Sequence, residues 1–390
     1  MRGIVLVLVG FLFLPGVSST SYAGGERDVA IVDPSGFGEC IRLRLSMQPG
    51  TESILVFAAE DQVFRFLGDN VSNRLLPLFQ VVPLEGGISP AHFENWRSFL
   101  PEAARREGAF TLDNGVIRGG AGFERIRVGP VTMPGDWPKH PVLVVDAGFF
   151  LPLYKDEVRT PMVRLVMKLV ATLRNASIRW NSARIVNRNS DRKFPLEFGY
   201  LPSLLREVLS DPDSFRDRIP ERWERLDRAQ SLAFFSQNEE AAQEYRRLCE
   251  KGCPAAVRYQ AAMLSFREEG DFREGIRHLE EAAKQDKAYS RGFLVQGAFF
   301  WNRGDLPAAE QVLRAGRKLF PDDALMTVGF ARNLAEQAVN ARQADPVTAN
   351  RMIRESLSLP IPEEVRREIL DGWGGDPLVP YAPRSVPRGG

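Results

Sequence analysis

Histidine is scarce in this chain. Only His92, His140 and His278 occur among 390 residues, and no Gly-x-Ser-x-Gly elbow accompanies them. Most of the material for a Ser-His-Asp triad or a histidine-bound metal centre is therefore missing. Cysteine is as scarce: Cys40, Cys249 and Cys253 cannot supply four thiolates, and an odd count leaves at least one unpaired within the chain. Charge of one sign is absent too. Lys plus Arg number 51 against 50 for Asp plus Glu, a formal net charge of +1, and loss of Arg2 with a leader brings the chain to neutrality. Such a balance has no bulk pull toward phosphate backbones or anionic bilayers, so nucleic acid is not an expected partner.

Long apolar runs are missing everywhere except at the start. Arg2 and the apolar stretch from Gly3 to Val17 precede small residues at Ser21 and Ala23. This is the pattern of an export signal cut after Ala23, and the run is shorter than the roughly 20 residues needed to cross a bilayer. We therefore expect a leader over 1–23, no membrane span in the mature chain, and a periplasmic or secreted product. Export makes pairing of Cys249 with Cys253 an option. Their spacing at the end of a predicted helix equally suits two buried thiols, and the thiol form is the expectation here.

What is present in the second half is a period. Gly270-Asp271 and Gly304-Asp305 are helix-breaking pairs 34 residues apart. Between about 291 and 323 stand Phe293, Gly297, Phe300, Gly304, Ala309, Leu313, Gly316 and Pro321. The small residues let two helices approach, the large ones fill the seam, Gly304 takes the turn and Pro321 ends the second helix. One period earlier come Tyr259, Met263, Phe266, Gly270, Gly275, Leu279 and Ala282, and one earlier again Ala229, Leu232, Ser236, Ala241, Tyr245 and Leu248.

These residues resemble the tetratricopeptide-repeat (TPR) family over 221–340. The resemblance implies an all-α solenoid whose concave face holds a peptide or partner helix. Carried over by position, it places Val257, Gln260, Leu264, Arg267 and Glu268 in the groove from one copy. Arg291, Leu294, Ala298, Trp301 and Asn302 follow from the next. Trp301 would anchor a partner or pack on the next repeat, and Arg267 and Arg291 would hold a carboxylate. A helical cap is expected over 341–373 and a Gly/Pro-rich tail without regular structure over 374–390.

Residues 24–211 read differently. Short β-branched runs at Val29–Val32, Ser53–Ala58, Gly115–Arg118, Ile126–Val128, Val142–Val145 and Ile178–Val186 alternate with helical stretches at Pro90–Arg106, Val158–Asn175 and Pro202–Ser210. This alternation predicts an α/β domain with a mixed sheet, joined to the helices through a charged linker at 212–220. Acids follow three strands: Asp33, Glu60 with Asp61, and Asp146. Gly36-Phe37-Gly38 lacks the third glycine of a dinucleotide loop. The stretch Val144-Val145-Asp146-Ala147-Gly148 is similar to the metal-binding strand end of arginase- and deacetylase-like hydrolases, with Gly148 where that family places its second acid. Asp146 is thus either a surviving metal ligand or, the preferred reading, a cap for the next turn.

The expectation is an exported scaffold or adaptor holding a protein or peptide partner in the cell envelope, with no cofactor, no catalytic residue singled out and self-association left open. The alternative is a metal-dependent hydrolase, or its pseudoenzyme relative, built around Asp146.

Overall fold

The computed structural model describes residues 27–32, 53–58, 78–84, 87–98, 100, 102–120, 122–131, 137–154, 162–191, 193–215, 218–250, 252–267 and 272–374. The expected leader, Asp33, Cys40, Glu60, Asp61, Glu268, the Gly270-Asp271 pair and the residues beyond Gly374 lie outside them.

The N-terminal part is an eight-stranded mixed sheet. Its strands are β1 (Asp28–Val32), β2 (Ser53–Phe57), β3 (Leu78–Val82), β4 (Phe110–Asp113), β5 (Val116–Gly119), β6 (Ile126–Pro130), β7 (Pro141–Asp146) and β8 (Ser182–Val186). Their spatial order is β1-β8-β7-β2-β3-β6-β5-β4. The first six in that order run parallel, and β5 and β4 close one edge antiparallel. Parallel strands read as near-continuous apolar runs because both faces are covered. Leu55, Phe57, Phe79, Val81, Leu143, Val145 and Ile185 face one layer, and Ile54, Val56, Val82, Val144 and Val186 face the other.

Two strands, β3 and β4, were not anticipated. Gln80 interrupts the apolar run of β3, yet it is fully buried. The β4–β5 hairpin turns on Asn114 and Gly115, both at positive φ, which is the backbone that an Asn-Gly pair favours. The expected helix from Pro90 is also shorter: α1 (Pro90–Ser98) stops ahead of Pro101. Its start is as read, with Ser89 Oγ accepting from the His92 amide at 3.2 Å.

Helices α2 (Met162–Asn175) and α3 (Leu201–Ser210) pack on the first face. Beyond them the regular structure of the described residues is helical: α4 (Glu221–Phe234), α5 (Asn238–Cys249), α6 (Ala255–Arg267), α7 (Phe272–Gln285), α8 (Arg291–Asn302), α9 (Leu306–Leu319), α10 (Ala324–Ala341), α11 (Pro346–Ser358) and α12 (Glu363–Trp373). Successive helices pack in pairs, α4 on α5, α6 on α7, α8 on α9 and α10 on α11. Asp305, Asp323 and Asp345 each cap the helix that follows, accepting from the amide three residues on. Gly304 takes its turn at φ +80.

Cys249 and Cys253 are joined in a disulfide, not left as the two thiols expected. Gly252, at φ +97, folds the chain back after α5 and brings the two Cα atoms to 4.2 Å. Among the described residues no helix is long and apolar enough to cross a membrane.

Close packing within a helix pair gives a test. A Cβ at Gly316 would stand 2.7 Å from the Phe293 Cβ and 2.8 Å from the Met326 sulfur, and the Phe293 Cβ cannot swing away from its own backbone. Gly316→Ala should therefore destabilise the chain by about 1–3 kcal/mol, although alanine is the better helix former by about 1 kcal/mol. Urea unfolding followed by circular dichroism reads the sign directly.

Candidate functional site

A cavity of about 960 Å³ opens between the sheet's helical layer and the helix pairs. Its wall on the N-terminal side comes from Leu151, Tyr154, Met162, Pro195, Glu197 and Phe198; opposite stand residues of α4, α5, α6 and α8. The position of each half follows from a chain of polar contacts.

The chain begins at the carboxyl end of the sheet. Asp146, 2% exposed, accepts from the Gly148 amide at 2.8 Å and caps the 3-10 turn Ala147–Leu153. Its two oxygens also take a fork from Arg188, Nε to Oδ1 at 2.9 Å and Nη2 to Oδ2 at 2.5 Å. The carboxylate is thus a cap and one half of a buried ion pair. Among the described residues no three His, Cys, Asp or Glu side chains gather as a metal would require.

Arg188 opens the irregular segment from Asn187 to Tyr200, and this segment is what the helices grip. Arg291 donates to three of its carbonyls, those of Asp191 at 2.6 Å, Phe194 at 3.1 Å and Asn189 at 3.2 Å. Asn189 Nδ2 reaches both the Gly199 carbonyl and Asp286 Oδ2 at 3.2 Å. The Tyr289 hydroxyl donates to the Leu196 carbonyl at 3.3 Å. Gln260 Nε2 donates to the Glu197 carbonyl at 2.6 Å, while its Oε1 accepts from Tyr245 at 2.9 Å and Gln230 at 3.0 Å. Burial raises the pKa of the Tyr259 and Tyr289 phenols, with nearby Glu197 and Asp286 adding to it. Both rings therefore stay neutral at this seam.

The groove residues expected from the repeat divide. Gln260, Leu264 and Arg267 do line the cavity, although the amide of Gln260 is fully occupied by the contacts above. Arg291 is not a clamp for a foreign carboxylate; it holds the chain's own carbonyls. Leu294 packs toward Gly329 on α10, Trp301 is half-buried against the core, and neither these two nor Asn302 is part of the cavity wall. The cause is a change of phase. α6 starts at Ala255 and α8 at Arg291, 36 residues apart, because the extra turn Lys287–Ser290 precedes α8. Two additional residues rotate a helix by about 200°. The counterparts of Tyr259, Gln260 and Met263 are therefore Val295, Gln296 and Phe299, and all six line the cavity.

These missed residues give the cavity its character. Phe234 is 50%, Val295 52% and Phe299 40% exposed, an amount of open aromatic and aliphatic surface that a folded chain normally covers. Gln296 stands among them 6% exposed, contributing to the wall and making no hydrogen bond to the described chain. Glu197, Asp227 and Arg267 supply the charge. The arrangement suits apolar side chains on a backbone that needs one or two hydrogen-bond partners.

The framework contacts can be checked separately. Asp146→Ala removes the close, buried carboxylate from Arg188 and leaves it only the more distant Asp191 at 3.9 Å, which should cost about 3 kcal/mol in denaturant unfolding. Arg291→Met strips a charged donor from three carbonyls, for an expected loss of about 2–3 kcal/mol. It should also raise amide exchange in 187–200 selectively.

Compared with known protein families and with characterised proteins, the chain matches no family model and no individual relative.

Proposed function

We propose that this is an exported, non-catalytic binding protein. In this reading the helical part is a TPR-like solenoid, and its inner face, closed on one side by the α/β part, receives a peptide or protein segment. The observation that carries the reading is the pair Val295 and Phe299, 52% and 40% exposed in one cavity whose wall also includes the amide side chain of Gln296. Apolar surface exposed in a recess gains free energy only when something covers it. The leader-like N-terminus supports action outside the cytoplasm, as a scaffold or adaptor in the cell envelope.

The docking segment supports a rigid receptor. Its backbone is held at both ends and along its length, so the wall formed by Pro195, Glu197 and Phe198 is set before a partner arrives. Preorganisation of this kind removes ordering costs that would otherwise weaken binding.

Selection from a random peptide library on the immobilised mature chain tests the proposal. Peptides should emerge, and Phe299→Ser should weaken them at least tenfold. That corresponds to the roughly 1.5–3 kcal/mol of burying one large apolar side chain. Because Phe299 is 40% exposed in the free protein, the melting temperature should stay within about one degree, equivalent to less than 1 kcal/mol for a chain of this size. An empty selection, or binding indifferent to Phe299, defeats the reading.

A further inference from the structure

A second cavity, of about 320 Å³, lies among α5, α6 and α7. Tyr245 and Leu264 line it and the first cavity alike, so these two side chains form a shared partition. Its other polar lining comes from Arg246, Ser265, Glu274 and His278. His278 is 7% exposed and one of only three histidines in the chain.

The surroundings of this ring suit its neutral form. Nε2 stands 3.3 Å from Glu274 Oε1, and that carboxylate draws the single ring proton to Nε2. Nδ1 keeps the lone pair, buried and with no hydrogen-bond partner. A second proton must settle on Nδ1, where no acceptor stands, and a buried charged donor left without one is costly. The charges around it do not offset that cost. On α7 itself, Glu274 and Glu281 already accept from Arg277, at 2.8 Å and 3.1 Å. From α6, Arg258 pairs with Glu281, while Arg267 faces the first cavity. From α5, Arg246 lines the second cavity, while Glu244 is held by Arg225 and Arg247. Three guanidiniums thus stand near the ring against two carboxylates. α9 also packs on α7, but Glu310 faces Gln337 on α10, Arg314 reaches Glu355 on α11, and Arg317 lies over Phe330 on α10. Lys287 in the turn after α7 and Lys318 at the end of α9 are exposed. Burial, with Arg277 adding to it, holds the imidazole below its ordinary range.

Room for a charged ring is not available toward α6. A Cβ on Gly275, one turn before His278, would stand 2.7 Å from the Phe266 ring, so those two helices are pressed together. Space lies instead on the cavity side, where Tyr245 stands. The Tyr245 hydroxyl donates to Gln260 Oε1 at 2.9 Å, and Gln260 in turn donates to the Glu197 carbonyl at 2.6 Å. A short relay of contacts thus joins the second cavity to the wall of the first.

We propose that His278 is an acid sensor for the first cavity. With the ring neutral, Tyr245 and Leu264 close the partition and hold the wall in its binding shape. Protonation brings water into the second cavity, pulls Tyr245 away from Gln260 and loosens the bound segment. The inference rests on the first cavity being a peptide site. Its sign follows from burial: the bound form resists the proton, so affinity is complete above about pH 6.5, the ordinary imidazole value, and falls below it. A single proton taken up on release weakens binding about tenfold between pH 7.5 and pH 5.5.

The probe is a library-selected peptide free of His, Asp and Glu, titrated by fluorescence anisotropy against the full mature chain. Wild type should bind it about tenfold more weakly at pH 5.5 than at pH 7.5, with its helical circular dichroism unchanged. His278→Gln, which keeps an amide near Glu274 but takes up no proton, should bind equally at both. On the wild type, the midpoint of release should coincide with the NMR titration of the His278 ring and not with that of His92 or His140. Four outcomes each overturn the proposal: equal wild-type affinity at both pH values, a pH response that persists in His278→Gln, a midpoint that follows another histidine, or loss of helix at pH 5.5. A peptide that requires Phe299 yet ignores pH removes the sensor and leaves the peptide site. An empty selection removes the peptide site and the sensor with it.

Discussion

The arrangement of the two halves depends on how one irregular segment is gripped. Residues 187–200 have no ladder to satisfy their backbone, and a buried carbonyl without a donor is costly. Arg291 answers three of those carbonyls and Gln260 and Tyr289 two more. Because all three donors sit on or beside first helices of the pairs, the same bonds that satisfy the segment also fix the helical part against the sheet. One apolar cluster then runs without a break from Leu143 and Ile185 through Leu204 and Trp223 to Phe293 and Phe330. Phe215, inside the stretch read as a linker, is part of it.

This links chemistry at the sheet to geometry far from it. The Asp146–Arg188 fork sets the direction in which the chain leaves β8, and the segment it launches becomes a wall of the cavity. An acid at the end of a parallel strand commonly invites a catalytic reading. Here its oxygens are taken by a guanidinium and an amide, and its contribution to the site is positional.

Legibility in the sequence followed the range of the physics involved. Apolar runs, the serine cap ahead of Pro90 and the small residues at Gly297, Ala309 and Gly316 act locally, and six of the eight strands and the helix pairs were readable from them. β3 was hidden because Gln80 breaks its pattern, and β4 because four residues ending in an acid, Phe110 to Asp113, carry too short an alternation. A period between turns does not carry over to helix faces: the extra turn before Arg291 places Val295, Gln296 and Phe299 in the cavity wall and leaves Leu294 and Trp301 off it. No local signal marks Arg291 as a docking residue, since its partners lie about a hundred residues earlier in the chain.

The edge strand β1 carries a kinetic consequence. Its neighbour is β8, with Asp28 opposite Ser182, and Asp28 is also the counterion of Arg184, a guanidinium only 2% exposed. A chain emerging from its N-terminus must therefore hold its first strand unpaired until nearly half its length has followed. Over that interval β1 is an open edge, and the late closure of so distant a pair makes sheet completion slow relative to the local helix pairs. The helix pairs follow later in the chain but need only neighbours in sequence to form. The sheet on which they rest is completed only when the oldest segment of the chain returns to meet a much younger one.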